Sequence, residues 1–411
     1  MAEVSSRVSK FGASPTIAMG ALVRRLRSEG RDIIPLVNGE PDFVPPEAVK
    51  RAGVAAIENN VLQYTDAEGT PALRKALSAK FKESGIDCEP GQVVVSSGTK
   101  PLLHAALMAM TDDGDEVIIP TPCWPSHPDI VKIAGAQAVM AVGSPDNAFR
   151  LTPELLERHI TPRTRALILN APSNPTGASY SRQEIQQLIE VLKRHPRVWV
   201  LTDEIYEHIT YEGHMAVPFA AVDPTFAHRV VTTNGFSKGY AMMGWRVGFA
   251  GGSPEIMTPI AAIIGQIVGC PSSISQAAAL EALNCDQSYL REFAKVFQQR
   301  RDLAVQSINA TPGLRCTNPE GAFYLFVDCS GVLGCRLPNG KTIESDEDFV
   351  RGAIEFAGVA AVHGAVFGLS PYFRISYALD TNQLREALHR LDVFCSALLG
   401  EQSVPPTATR S

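Results

Sequence analysis

The stretch Gly235-Phe236-Ser237-Lys238 sets one amine among glycine, serine and aromatic neighbours, with no carboxylate within several residues to pair with it. Burial without a partner disfavours the charged form of a lysine, so an amine held this way sheds its proton and can attack an aldehyde. Eight residues on, in Met242-Met243-Gly244-Trp245-Arg246-Val247-Gly248, Arg246 is a fixed cation able to hold a phosphate. Alone, a lysine in a loop reads as a solvated surface charge, because lysine is almost never buried unpaired. The case for chemistry therefore rests on what else the chain brings beside it.

Other segments carry suitable groups. Ser96-Ser97-Gly98-Thr99-Lys100-Pro101 ends a β-branched run and opens a helical one, so free N–H groups and the helix dipole make an anion site there, although a tight turn also explains Gly98. In Cys123-Trp124-Pro125-Ser126-His127, Trp124 offers an apolar face for a planar ring, and His127 also reads as a plain turn histidine. Asn170-Ala171-Pro172-Ser173-Asn174-Pro175-Thr176-Gly177 supplies an amide donor at Asn174 and a candidate cis linkage before Pro175. In Thr202-Asp203-Glu204-Ile205-Tyr206, Asp203 is a helix cap or a carboxylate that keeps a neighbouring cation protonated, with Tyr206 three residues later. Phe373-Arg374-Ile375 places an arginine between apolar residues, where it must find an anion, either a structural salt bridge or a ligand carboxylate. Gly39, in Leu36-Val37-Asn38-Gly39-Glu40-Pro41-Asp42-Phe43, is a turn residue or a backbone N–H offered to a ligand.

These groups need a scaffold. From Val93 to Ala250 short β-branched runs alternate with helical stretches, predicting strands at Val93–Ser96, Glu116–Ile119, Ala138–Val142, Ala166–Asn170, Val198–Thr202, Val230–Thr233 and Val247–Ala250. Continuous apolar runs separated by helices imply an α/β fold with a mainly parallel seven-stranded sheet sandwiched by helices. Ligands of such sheets bind at the carboxyl ends of the strands, where nearly all the residues above fall. Ile17, Leu22, Val23 and Leu26 predict an amphipathic helix over Thr16–Glu29, and Thr70-Pro71 opens another, with Leu73, Leu77 and Phe81 on its buried face. Long helices, notably Gln287–Ser307, lead into a smaller α+β domain with strands at Ala322–Val327, Val359–His363 and Phe373–Tyr377 and a last helix over Asn382–Leu399. The expected division is an N-terminal arm at 1–45 shared with the small domain, a large domain at 46–285, the small domain at 286–400 and a flexible tail at 401–411.

Composition narrows the class. The 411 residues are 45% hydrophobic and 19% charged with a formal net charge of −6, ordinary for a globular protein and unsuited to nucleic acid as main partner. No cationic start precedes an apolar core, so no signal peptide is expected, and Ile260–Val268 is far short of the ~20 residues that span a bilayer. Cys88, Cys123, Cys270, Cys285, Cys316, Cys329, Cys335 and Cys395 show no CxxC or zinc spacing, which predicts no metal site and reduced, mostly buried thiols in a cytoplasmic protein.

The segment Gly235–Gly248, with the motifs around Gly98, Asn174, Asp203 and Arg374, resembles the class I/II aminotransferases, pyridoxal phosphate (PLP) enzymes of fold type I. The resemblance spans roughly Ser14 to Leu399 and is nearest to bacterial aspartate aminotransferases. It implies that Lys238 carries PLP covalently and acts as base and acid, and that Gly98, Thr99, Lys100, Ser237 and Arg246 cradle the phosphate region. Trp124 would stack on the cofactor ring, Asp203 would hold its nitrogen protonated with His127 hydrogen-bonded behind, and Asn174 and Tyr206 would donate to its phenolate. Gly39, Trp124, Asn174, Lys100 and Arg374 would contact the substrate, with Arg374 on the α-carboxylate. Tyr64 would reach the partner subunit's phosphate, which implies a homodimer with shared sites.

Transamination between an L-amino acid and a 2-oxo acid follows from the resemblance, with an aspartate- or glutamate-type donor if Lys100, helped by Ser14 and Thr16, takes the side-chain carboxylate. Two departures point instead to an apolar, aromatic or specialised donor: Gly265-Gln266-Ile267-Val268-Gly269-Cys270-Pro271 replaces a Ser/Thr/Asn-rich run, and His363 stands where proline is common. β-Lyase and oxidative deaminase chemistry would use the same cofactor residues. A PLP-sensing transcription factor would need a basic DNA-binding segment that the chain does not show.

Overall fold

The computed structural model describes Gly12 and residues 15–400; Ser14, the Thr16 side chain and the expected tail at 401–411 lie outside the described residues. After a short strand β1 (Ile34–Pro35) come the seven apolar runs: β2 (Val93–Ser96), β3 (Glu116–Thr121), β4 (Gln137–Val142), β5 (Thr164–Asn170), β6 (Trp199–Asp203), β7 (Val230–Gly235) and β8 (Gly248–Gly251). They form one sheet in the order β2-β8-β7-β6-β5-β3-β4, and every pairing is parallel except the two made by β8. The expected mainly parallel sheet is therefore present, with strand ends moved by up to two residues.

Because both faces of these strands are buried, the half-buried edge strand β4 apart, successive residues feed different cores. Val93 and Val95 join Leu73, Leu77, Leu188 and Ala279 on one side, while Val94 joins Leu103, Ala106, Ile256 and Ile260 on the other. The first helices are α1 (Pro15–Ser28), α2 (Glu47–Glu58), α3 (Pro71–Glu83) and α4 (Thr99–Met110). α3 starts where Thr70 accepts a hydrogen bond from the Leu73 N–H and Pro71 occupies the first turn, as its sequence predicts.

A second sheet holds β9 (Arg315–Cys316), β10 (Tyr324–Asp328), β12 (Val362–His363) and β13 (Tyr372–Ser376) in the antiparallel order β12-β13-β10-β9. The single strand expected over Val359–His363 is instead two. β11 (Val359–Ala360) pairs parallel with β1, and β12 turns to pair with β13. The reason is Leu36, whose N–H donates to the Ala360 carbonyl (2.8 Å) and whose carbonyl accepts from the Ser376 N–H (2.8 Å), so the N-terminal segment wedges in where a continuous strand would have run. Val23, Leu26 and Ile33 of that segment share a core with Phe326, Val359 and Leu391.

All eight cysteines are free thiols. Cys88, Cys123, Cys329 and Cys395 are buried and the other four half-buried, so the expectation of mostly buried thiols holds for half of them. No helix among the described residues is long and apolar enough to cross a membrane.

Candidate active site

Parallel register gathers the first groups. Asn170 lies opposite Asp203, and Asp203 opposite Thr233, so the carboxyl ends of β5, β6 and β7 form one edge. The antiparallel β8 enters from that same edge, its Gly248 facing Ser96 and Gly235. This topology brings the residues before β8, Arg246 among them, to the turn after β2 and to Lys238. Gly98 (φ +89°) is needed there: a Cβ would come within 2.4 Å of Arg246 Nη2. Arg246 itself is left-handed (φ 57°) and donates to the Met243 carbonyl (3.0 Å), leaving the rest of its guanidinium facing the cleft.

Lys238 has no ion-pair partner among the described residues; its Nζ donates to the Gly39 carbonyl at 2.5 Å. Gly39 thus offers its carbonyl to the lysine. Burial pushes the Lys238 amine down to about 8; Glu40 opposes the shift, and Arg374 and Arg246 add to it. Ser237, beside it, is buried.

Asp203 is buried, with its Oδ2 3.4 Å from His127 Nε2. The expected hydrogen bond between them is not formed: neither His127 Nε2 nor Asp203 Oδ1 has a hydrogen-bond partner. The His127 ring is instead set edge-on to Trp124 at 5.2 Å between centroids. Asn170 organises the next loop, donating to the Asp203 carbonyl (2.8 Å) and accepting from the Asn174 N–H (2.9 Å). The Asn174–Pro175 bond is cis, as are the bonds before Pro122, Pro172 and Pro371, which were not expected.

Arg374 is buried in β13 and no carboxylate pairs with it among the described residues. Neutral acceptors hold it instead, Asn174 Oδ1 (3.1 Å) and the Val37 carbonyl (2.7 Å), while Nε has no partner. Its guanidinium carbon lies 4.4 Å from the Tyr324 ring centroid and 5.1 Å from that of Phe367. Since Arg374 uses the Asn174 carbonyl oxygen, the Asn174 NH2 remains a donor for the cleft.

One cleft of about 900 Å³ contains Gly39, Thr99, Lys100, Trp124, Asn174, Asp203, Tyr206, Ser237, Lys238, Arg246 and Arg374. Six cationic side chains line it (Arg24, Arg27, Lys100, Lys238, Arg246 and Arg374) against two acids, Glu40 and Asp203, a balance suited to a ligand with several negative charges. Lys100 Nζ donates to Ser126 Oγ (3.2 Å) and lies 4.8 Å above the Trp124 ring; burial and then Arg246 depress its pKa. Tyr64 is 97% exposed and does not enter the cleft of its own chain. Ile267, 49% exposed, and His363, half-buried, likewise stand outside it.

Among the cleft residues not anticipated are Arg24, Arg27, Glu40 and Tyr324. Tyr324 sits with its hydroxyl 3.0 Å from that of Tyr206, and Glu40 faces Lys238. Tyr324 was legible only through register, since strand alternation puts it on the same face as Phe326, the residue paired with Arg374.

The profile of the aminotransferase class I and II family matches residues 31–391. The aspartate aminotransferase of Rhizobium meliloti (strain 1021) is 49% identical over 395 residues, 96% of each chain. The aspartate/prephenate aminotransferase of Cereibacter sphaeroides is 45% identical, over 97% of this chain and all of that one. A crystal structure of aspartate aminotransferase from Rhizobium meliloti superposes with a TM-score of 0.93 at 48% identity, covering 96% of this chain and 99% of that one. The Thermus thermophilus aspartate aminotransferase with maleate gives 0.88 at 36%, covering 95% and 99%. The chain belongs to the class I and II aminotransferases, PLP-dependent enzymes that exchange an amino group between an amino acid and a 2-oxo acid.

Proposed function

We propose that the enzyme takes its amino group from aspartate or glutamate. The observation that carries this is the set of separate cations in the cleft: Arg246 for a phosphate, Arg374 for an α-carboxylate, and Lys100, free of any carboxylate partner among the described residues, for a second carboxylate. The names of the relatives support the same donor, as does the maleate, a dicarboxylate, in the Thermus thermophilus structure. The departure at His363 lies outside this chain's cleft, and that at Gly265–Pro271, expected to face the partner's pocket, bears on the partner's site rather than on its own.

The residues present fit PLP. The buried Asp203 Oδ1 without a partner suits a pyridine N–H, the Gly98 turn beside Arg246 suits the phosphate, and Trp124 supplies an apolar face. Asn174 and Tyr206 would donate to the ring oxygen, and Gly98, Thr99, Ser237 and Arg246 would hold the phosphate. Bound PLP supplies an aldehyde for the Lys238 amine and a ring that, kept protonated, accepts the electron pair released at the donor's Cα. Arg374, already held in plane by Asn174 and Val37, takes the donor's α-carboxylate with its remaining N–H groups. With PLP bound, the Lys238 amine would serve as the base that takes the proton from the donor's Cα and as the acid that gives it back. Its depressed pKa lets it work in both directions near neutral pH.

A homodimer completes the proposal. Val54, Ile57, Val61, Leu62, Tyr64 and Ile267 are all about half exposed or more, and Val61 and Ser273 are tied by a hydrogen bond (2.7 Å), as expected of a face covered by a second copy. Tyr64 would then serve the partner's site. Eight unpaired cysteines support a cytoplasmic location. The test is steady-state rates for a panel of donors with 2-oxoglutarate, with prephenate added as a second acceptor because relatives carry it in their names. Aspartate or glutamate should lead, and Lys100→Ala should raise their KM about tenfold while sparing apolar donors. Aspartate running far slower than aromatic or aliphatic donors would overturn the assignment.

A further inference from the structure

We propose that Tyr324 is a positioning residue for the reaction: its hydroxyl sets the direction in which Tyr206 donates, and its ring holds the Arg374 guanidinium without neutralising it. The inference rests on the roles given above to Lys238, Tyr206 and Arg374.

Tyr324 lies on β10 opposite Ser376, two residues before Phe326, which lies opposite Arg374. Alternation puts all four on one face of the small sheet, so Tyr324 is the diagonal neighbour of Arg374, consistent with the 4.4 Å stacking. The Tyr324 side chain is 1% exposed, and its hydroxyl has one hydrogen-bond partner among the described residues, the Tyr206 hydroxyl at 3.0 Å. Each phenol has a single proton. If Tyr206 gave its proton to Tyr324, it would face the cleft only as an acceptor and the Tyr324 proton would have no acceptor. The arrangement that satisfies both runs from Tyr324 to Tyr206 and on to the cleft. A donor that itself accepts a hydrogen bond donates more strongly, so Tyr324 sharpens what Tyr206 offers.

The same hydroxyl lies close against the backbone that receives the lysine. A Cβ on Gly39 would come within 2.7 Å of Tyr324 Oη and 4.0 Å of Lys238 Nζ, so Gly39 alone lets the tyrosine, the turn and the amine come together. The ring does a separate job. Arg374 keeps Nε without a partner and has no carboxylate beside it, and a π face holds a guanidinium in plane while leaving its charge for a ligand.

The two jobs separate experimentally. The charged and titratable groups facing Lys238 are Glu40, Arg374, Arg246 and Asp203, and those facing Tyr206 are Tyr324, Asp203 and Arg374. Apart from Tyr324, all are retained in Tyr324→Phe and Tyr324→Leu. A hydrogen bond from Tyr206 to the cofactor's ring oxygen favours the unprotonated Lys238–PLP linkage. Tyr324→Phe should therefore move the pH midpoint of the PLP-loaded protein's visible absorbance upward by roughly half to one unit, with the donor KM within about twofold of wild type. Tyr324→Leu should show the same shift and a KM raised about five- to tenfold, with thermal melting confirming the fold. An unmoved midpoint in Tyr324→Phe overturns the hydroxyl's role, and an unchanged KM in a folded Tyr324→Leu overturns the ring's. A wild-type protein with no PLP absorbance linked to Lys238 would instead remove the underlying site assignment.

Discussion

On the floor of the cleft Asp203 is a buried carboxylate with one oxygen unpaired, and on the wall supplied by the smaller sheet Arg374 is a buried guanidinium with Nε unpaired. The floor comes from the ends of parallel strands, where Asn170, Asp203 and Thr233 are fixed by register. The wall comes from the middle of an antiparallel strand, and its charge is held by an amide oxygen, a backbone carbonyl and two aromatic faces. A buried ion without a counterion is costly, and each side bears that cost for a different guest. An acid with an open oxygen suits a cationic ring that stays, and a cation held by neutral groups suits an anion that comes and goes.

That contrast orders the expected effects. Lys238→Ala removes the group that serves both sides, so kcat should fall by about 10⁴-fold or more and the visible PLP absorbance should vanish. Retention of near-normal turnover would collapse the distinction altogether. Asp203→Asn alters the floor alone: kcat should drop by about 10²–10³-fold with the donor KM nearly unchanged, as read by steady-state kinetics. Arg374→Lys alters the wall alone, replacing a fork with a point charge, and should raise the donor KM by about 10–100-fold while the PLP spectrum stays as in wild type. Loss of the spectrum in that variant would show that the two sides are not separable.

A smaller effect tests the burial of the amine itself. Lys238 has a pKa of about 8 in the folded, PLP-free protein against an ordinary lysine value of 10.5, so between those pH values the unfolded chain binds more protons than the folded one. Stability of the PLP-free protein should therefore rise as pH increases from about 8 to about 10.5, by about 3 kcal/mol. Denaturant titrations of wild type and Lys238→Met across that range should differ in this rise, and parallel profiles would contradict the burial argument.

The floor was legible because its residues announce themselves twice, as polar groups and as the ends of apolar runs. Gly98, Asn174, Asp203 and Lys238 each follow a β-branched stretch, and parallel strands deliver such ends to one edge. The wall was half legible. Arg374 stood out as a charge amid apolar neighbours, whereas Tyr324 looked like one more aromatic in a strand until pairing with β13 put it beside Arg374. The break between β11 and β12 was hidden because it depends on Leu36, more than three hundred residues away in sequence. His127 was placed near Asp203 correctly, but its ring is oriented by packing against Trp124, which sequence spacing does not encode.

The most direct measurement is to load the purified protein with PLP, reduce it with borohydride, and map the modified peptide by mass spectrometry. One pyridoxyl group per chain on Lys238 is the expected result. A label on another lysine, or a protein that stays colourless and unlabelled, would contradict the assignment of that amine as the cofactor's attachment point.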